Sequence, residues 1–210
     1  IRFVDRVGFK KMRSNPRAIM ASLDLYFKGL SLSKISSHML PFYNVQVTPV
    51  TVYNWIRKYV ALIKEYTKHL KPSVSKKWHA DETKIKVKGR YAYLWDVMDS
   101  ETRFLIAKHL SFGRGSKDAG KLLTRALTKT GKAPRLLITD GLQSYASAID
   151  EKRELGQMKS TDHQSRIGLR DAGNNIVERL HGTLKERTKP IRGLGNIRSG
   201  GAFTDGLETY

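Results

Sequence analysis

The 210 residues include no cysteine. Disulfides, thiolate zinc sites and cysteine nucleophiles are thereby excluded, and any metal must rest on carboxylate, imidazole or carbonyl ligands. Long apolar runs are also missing. None approaches the ~20 residues needed to cross a bilayer, and the opening IRFVDRVGFKKMRS lacks the apolar segment of a secretory signal. No membrane partner and a cytoplasmic, nucleoid-associated location are the expectation. Acid is scarce as well: 19 Asp and Glu face 39 Lys and Arg, a formal net charge of +20. A field of that sign draws polyanions and makes nucleic acid the leading partner, ahead of a membrane surface or a merely basic protein. No aromatic strand motif of the RNP type is present, which counts against a structured-RNA binder. The first residue is Ile1 rather than Met, so the chain is expected to be a fragment or to lack an upstream piece.

What is present divides into two rhythms. Residues 1–70 carry twelve Lys and Arg against three acids and read as short helices. Pro16 can open the first, with Ala18, Ile19, Leu23 and Tyr26 as its apolar stripe and Gly29 as its stop. Ser31 to Ser33 can cap a second that holds Ile35 and Met39 and ends at Pro41. Thr48 and Pro49 open a third, with Val52, Trp55, Ile56, Tyr59 and Ile63 at helical spacing. Lys71-Pro72-Ser73 then reads as a linker. Beyond it, in residues 71–210, the spacing predicts strands over Trp78–Val87 and Tyr91–Met98, joined by a turn at Lys88-Gly89-Arg90, and a third over Phe104–Leu110. A helix capped by Ser116 and ended by Gly131 follows, then the short apolar run Arg135 to Thr139 as a strand buried on both faces, then a helix from Tyr145 to Lys152. Three strands, helix, strand, helix define an α/β domain, a mixed sheet layered with helices, behind a small all-helical domain.

Three acids stand out. Asp81 lies inside a strand among Trp78, Ile85 and Val87, and Asp140 stands at the C-terminal end of the buried Leu-Leu-Ile-Thr strand, where ligand crevices of open α/β sheets lie. On a helix at about 100° per residue, Ile176, Val177, Leu180 and Leu184 form one arc, while Asn174, Glu178, His181 and Lys185 form an adjacent polar face free to meet metal and DNA. Glu178 is isolated among Arg179, Lys185, Arg187, Lys189 and Arg192, a stretch suited to phosphate contacts. Clustered carboxylates of this kind can hold two hard cations about 4 Å apart, the arrangement that serves phosphodiester cleavage. Each acid also has an ordinary reading: an edge charge, a turn Asp before Gly, a solvated helix Glu. Glu82, Asp96, Asp99, Asp162 and Asp171 are rivals, Glu82 the weakest because its Cβ leaves the strand on the face opposite Asp81.

The stretches WHADETKIKVKGRYAYLWDVMD, LLITDGLQSY and NNIVERLHGTLKERTKPIRGL resemble the catalytic blocks of insertion-sequence DDE transposases, above all those of the insertion-sequence-six group. The acids stand 59 (140 − 81) and 38 (178 − 140) positions apart, similar to that family's gaps. Three ordered blocks spanning about residues 17–200 are more specific than any single acid. The resemblance implies an RNase H-like fold, Asp81, Asp140 and Glu178 as catalytic metal ligands, two Mg²⁺ or Mn²⁺ ions, cleavage at terminal inverted repeats of double-stranded DNA and joining of 3′ ends to target DNA. Asn174, Asn175, His181, Lys185, Arg187, Lys189 and Arg192 are then DNA-contacting candidates, and His163 an accessory residue or a packed histidine. The segment GLSLSKI and the segment TVYNWIRKY resemble the two helices of the family's helix-turn-helix, with Thr51, Tyr53, Asn54, Arg57 and Lys58 on the DNA face. The join from Pro41 to Pro49 is longer than usual. Some relatives carry a zinc ribbon upstream of this point. Two element ends must be processed, so a homodimer or higher assembly on DNA is expected. The alternative is a catalytically silent, sequence-specific DNA-binding protein or a decayed transposase.

Overall fold

The computed structural model describes residue 9, residues 14–165 and residues 175–188. They fall into two compact units, one up to His69 and one from Leu70 to Lys185.

In the first unit, α1 (Pro16–Phe27), α2 (Leu32–Tyr43) and α3 (Pro49–Thr67) each begin at a side-chain cap. Asn15 accepts from the Arg17 amide, Ser31 from Lys34 and Thr48 from Thr51, so each cap satisfies a backbone donor that has no partner within the helix. Ile19, Leu23, Phe27, Ile35, Met39, Val52, Trp55, Ile56 and Tyr59 are all buried and make one small core. Pro41 does not end α2, contrary to the sequence expectation; it lies inside the last turn. The stop is Asn44, left-handed at φ 52°, whose amide bonds the Leu40 carbonyl while Val45 bonds that of Met39. This paired closure uses up the last carbonyls, and Asn adopts the left-handed region more readily than other non-glycine residues. Phe42 and Tyr43 therefore lengthen the helix rather than the join, which is only residues 44–48.

The second unit is built on a five-stranded sheet in the order β3-β2-β1-β4-β5, formed by β1 (Lys77–Val87), β2 (Arg90–Asp99), β3 (Leu105–Ser111), β4 (Leu136–Thr139) and β5 (Asp162–Ser165). The first three strands are antiparallel, and β4 and β5 add in parallel beside β1. The β1–β2 loop is just Lys88 and Gly89, both at positive φ (49° and 75°), the two-residue turn whose twist matches that of the flanking strands. Helices α4 (Ser116–Thr130) and α5 (Gln143–Glu154) lie on one face. Their Ala119, Leu122, Leu123, Ala126, Tyr145, Ala148 and Ile149 bury Trp78, Ala80, Trp95 and Val97 of the sheet. Ser116 does not cap α4 as expected: Gly115 holds the cap position, with no side-chain bond, and Ser116 is the first helical residue. The last described element is α6 (Asn175–Thr188). This is the RNase H-like mixed sheet flanked by helices. No described helix is long and apolar enough to cross a membrane.

Candidate active site

The register of β1 against β4 places the site. Lys77, Trp78 and His79 pair with Leu136, Leu137 and Ile138, and β4 stops at Thr139. From Ala80 onward β1 has lost that neighbour, and the next two side chains along β1, Asp81 and Glu82, meet a crevice at whose edge Asp140 begins the following loop. A carboxylate oxygen from each of Asp81, Glu82 and Asp140 lies within 4.8 Å of the others. The crevice follows from topology, since parallel strands open at their carboxyl ends.

Glu82 thus joins the cluster, against the expectation that the strand's alternation would keep it away. Its Cβ does leave on the opposite face, where Trp95 is its cross-strand neighbour. Beyond the end of β4, however, no strand separates the two faces, and two methylenes bring the carboxylate round to its neighbours. Glu82 is nearly buried, with 4% of its side chain exposed, and is held by the Arg114 guanidinium, Nε at 2.8 Å and Nη2 at 2.5 Å from Oε1. Burial pushes its carboxyl up and Arg114 pulls it partly back. The phenol of Tyr145, itself buried edge-on against Trp95 at 5.5 Å, lies against Glu82 and is kept protonated by burial and by the surrounding carboxylates.

Asp81 has 13% of its side chain exposed. Its carboxyl is raised from 3.8 to about 6, chiefly by burial, with Asp140 and Glu82 adding to the rise and His181 and the Glu82 amide opposing it. Asp140 Oδ1 accepts from the Leu142 amide at 3.0 Å. Three hard oxygen donors crowded at a cost in desolvation and repulsion suit a divalent cation, which would relieve both.

His181 sits differently from the sequence expectation of an exposed, DNA-facing residue. It is buried, its Nε2 is 3.1 Å from Asp96 Oδ2, and its Nδ1 is 3.7 Å from Asp81 Oδ2. Asp96 is the direct cross-strand partner of Asp81, so two acids stand side by side on one sheet face and an imidazole from α6 lies between them. The apolar arc therefore reaches one position further round the helix than side-chain type alone indicates, and Val177 is buried beside it. Glu178 lies on the exposed side of α6, three residues before His181, and is not part of the carboxylate cluster. Lys185 is exposed too. Asn175 and Arg187 belong to α6, whereas Asn174, Lys189, Arg192 and Asp171 lie outside the described residues.

Other candidates have structural work. Asp99 accepts from the Ser75 amide and hydroxyl (2.8 and 2.5 Å) and from those of Thr102 (2.9 and 2.6 Å). Burial alone would raise its carboxyl, but these four donors hold it below the usual range and make it a loop staple. Asp162 is exposed at the start of β5. His163 pairs with the Thr139 hydroxyl at 3.0 Å, bracing the end of β4 one residue before Asp140, and burial lowers its pKa. In the first unit, Asn54, Arg57 and Lys58 are exposed on α3 and Tyr53 is half-buried with Arg57 5.7 Å over its ring. Thr51 is half-buried, its hydroxyl 3.0 Å from that of Thr48. Arg114 and Tyr145 were missed from sequence, and Asp96 was legible there only as a rival acid, not as the partner of His181. A cation flanked by two glycines, Gly113-Arg114-Gly115, was the one local signal.

A carboxylate cluster at the crevice of a sheet in this order is the arrangement of an RNase H-like nuclease and strand-transfer core. Residues 75–210 match a family described as a DDE domain. A transposase for the insertion sequence-like element IS431mec of Staphylococcus aureus is 27% identical over 91% of this chain and 83% of its own length. An uncharacterized protein of Methanocaldococcus jannaschii is 30% identical over 90% of the chain and 80% of its own. A chain in a cryo-EM structure of the simian T-cell lymphotropic virus intasome in complex with the PP2A regulatory subunit B56 gamma shares the fold, with a TM-score of 0.52 and 19% identity over 90% of this chain and 67% of that one. The chain belongs to the DDE domain family of insertion-sequence transposases, metal-dependent enzymes that cut and join DNA.

Proposed function

We propose that the chain cuts DNA at the terminal inverted repeats of its own element and joins the freed 3′ ends to a target duplex, with Asp81, Asp140 and Glu178 as the ligands of two Mg²⁺ or Mn²⁺ ions. The observation that carries this reading is the meeting of Asp81 and Asp140 at the open end of β4, where α6 docks against Asp81 through His181. When bound, such ions activate the attacking oxygen and stabilise the leaving one. The residues supply the rest. Asp81 and Asp140 fix one side of the site on rigid strand ends. His181, anchored on Asp96, sets the position of α6, and with it Glu178 one turn upstream. Arg114 neutralises Glu82 and keeps that carboxylate from competing as a ligand. The chemistry needs no protein nucleophile: water attacks first and the new 3′ hydroxyl second.

Asp81 and Asp140 crowded together beside Glu82, at a cost in desolvation and repulsion that a bound ion would relieve, support the active reading over the silent alternative. The working form is at least a dimer on paired ends. A net charge of +20 opposes association until phosphates neutralise it. Joined products formed in Mg²⁺ from a plasmid carrying candidate ends and a second target plasmid test the proposal; DNA binding without cleavage under any divalent ion would defeat it.

Sequence reading of the ends is assigned to α3. Changing Arg57 and Lys58 together to Gln should weaken binding of end DNA by about 10- to 100-fold and flatten the salt dependence by about 2 units on a log–log plot, if each contacts one phosphate. Asn54→Ala should instead relax preference at one base pair, costing about 1–3 kcal/mol there and little on unrelated DNA. Gel-shift titrations on matched and scrambled ends read both.

A further inference from the structure

Beyond Glu82, the β1–β2 hairpin runs on past the carboxylate cluster. Cross-strand pairing puts Glu82 with Trp95, Lys84 with Tyr93 and Lys86 with Tyr91, so these six side chains share one face, in order outward from the cluster. Arg114 links the first rungs: it bonds Glu82 and lies 5.6 Å over the Tyr93 ring. Lys86 lies 5.6 Å over Tyr91, and at the tip Arg90 is 4.9 Å over Phe112. Lys84, Lys86, Lys88 and Arg90 are exposed, as are Tyr91 (60%) and Phe112 (43%). From Thr83 to Leu94 the sequence holds four cations and no acid. A row of cations, with Arg114 and Lys86 braced on aromatic rings, thus leads from the candidate metal site to the two-residue turn, where Arg90, opposite Val87, is braced on Phe112, in a segment that the expected DNA contacts on α3 and α6 do not include.

We propose that this hairpin docks the phosphate backbone of the target duplex, an inference that rests on the transposase reading above. Strand transfer requires a second duplex beside the site, distinct from the end held by the base-reading helix. The exposed polar groups of the hairpin are ammonium, guanidinium and phenol only, with no Asn or Gln to read adenine. Such groups hold phosphates whatever the sequence, the property a target dock needs. The cation–π contacts hold the side chains of Lys86 and Arg90 in place, so less of their rotamer freedom is lost on binding.

The test is the full chain with Lys84→Gln, Lys86→Gln, Lys88→Gln and Arg90→Gln combined. All four side chains are exposed, so thermal melting should match the parent. Affinity for a duplex of unrelated sequence should fall, and its log–log salt slope should flatten by about 3 units. Transfer of a pre-cleaved end into a supercoiled plasmid should fall at least about tenfold near 150 mM salt and recover as salt is lowered. Binding and 3′ cleavage of the element end should stay within about twofold of the parent. An unchanged slope on unrelated duplex, or unchanged transfer, overturns the proposal. Loss of end binding in step with transfer also overturns it, by placing the element end on the hairpin. A parent that binds unrelated duplex through the hairpin yet cleaves nothing would count against the functional reading and leave the dock standing.

Discussion

Asp81→Asn and Asp140→Asn variants will melt at a higher temperature than the parent without metal, and will have lost DNA cleavage by at least about a thousandfold, the equivalent of about 4 kcal/mol of transition-state stabilisation. The two effects share one cause. Asp81 is buried beside two other acids, and its carboxyl is raised from 3.8 to about 6. Below about pH 4 it is protonated folded or unfolded, and contributes nothing. Between about 4 and 6 the unfolded chain has released the proton while the folded chain keeps it, so this group's contribution to stability falls as pH rises. Above 6 the penalty is complete, at most about 3 kcal/mol for a shift of that size. Asn removes it. A divalent ion offsets the same penalty, so Mn²⁺ should raise the melting temperature of the parent more at pH 7.5 than at pH 5, and by little in either variant. Melting curves at the two pH values, with and without Mn²⁺, measure this. If Asp81→Asn melts lower than the parent at pH 7.5 without metal, Asp81 is a structural partner of His181 and not an ion ligand held in reserve.

Glu178→Ala will abolish cleavage and joining as completely as the Asp140 variant, whereas Glu82→Gln will lower them by about tenfold at most. Proximity alone favours the opposite result, since Glu82 is in the cluster and Glu178 is exposed. Two contacts decide between them. Glu82 is already engaged by two nitrogens of Arg114 and faces the Tyr145 phenol, so its charge is partly offset and moving it onto an ion would break that ion pair. Glu178 stands one helical turn from His181, which touches Asp81, and as an ion ligand it must turn its carboxylate toward the cluster when ions bind. The measurement is the rate of end cleavage at saturating Mg²⁺ with binding checked separately. Near-parental activity in Glu178→Ala, with loss in Glu82→Gln, would make Glu82 the third ligand.

The first four strands were legible because their signals are local: β-branched and aromatic runs, a Lys-Gly turn that needs two positive φ values, and an Asp directly after a short apolar strand; β5, the polar Asp-His-Gln-Ser, carries no such signal. Asp81 and Asp140 could be paired from sequence since strand ends are where open sheets place ligands. Glu82 was misjudged because alternation separates neighbouring side chains only while strands flank them, and β4 ends at Thr139. His181 was misjudged for a related reason. Helical periodicity sorts residues by polarity, and a polar residue whose partner is a buried acid on a distant strand looks like a surface residue until that strand is known. Pro41 reads as a helix stop, yet the first stop that also supplies hydrogen bonds is Asn44.

The most direct measurement is the nucleotide-resolution mapping of products formed from a terminal-repeat duplex and a target plasmid in Mg²⁺. The account predicts 3′ hydroxyls released at the element ends and found joined to target strands with the parent chain, and neither product with Asp140→Asn or with EDTA. End cleavage that persists in Asp140→Asn, or that proceeds in EDTA, would contradict it.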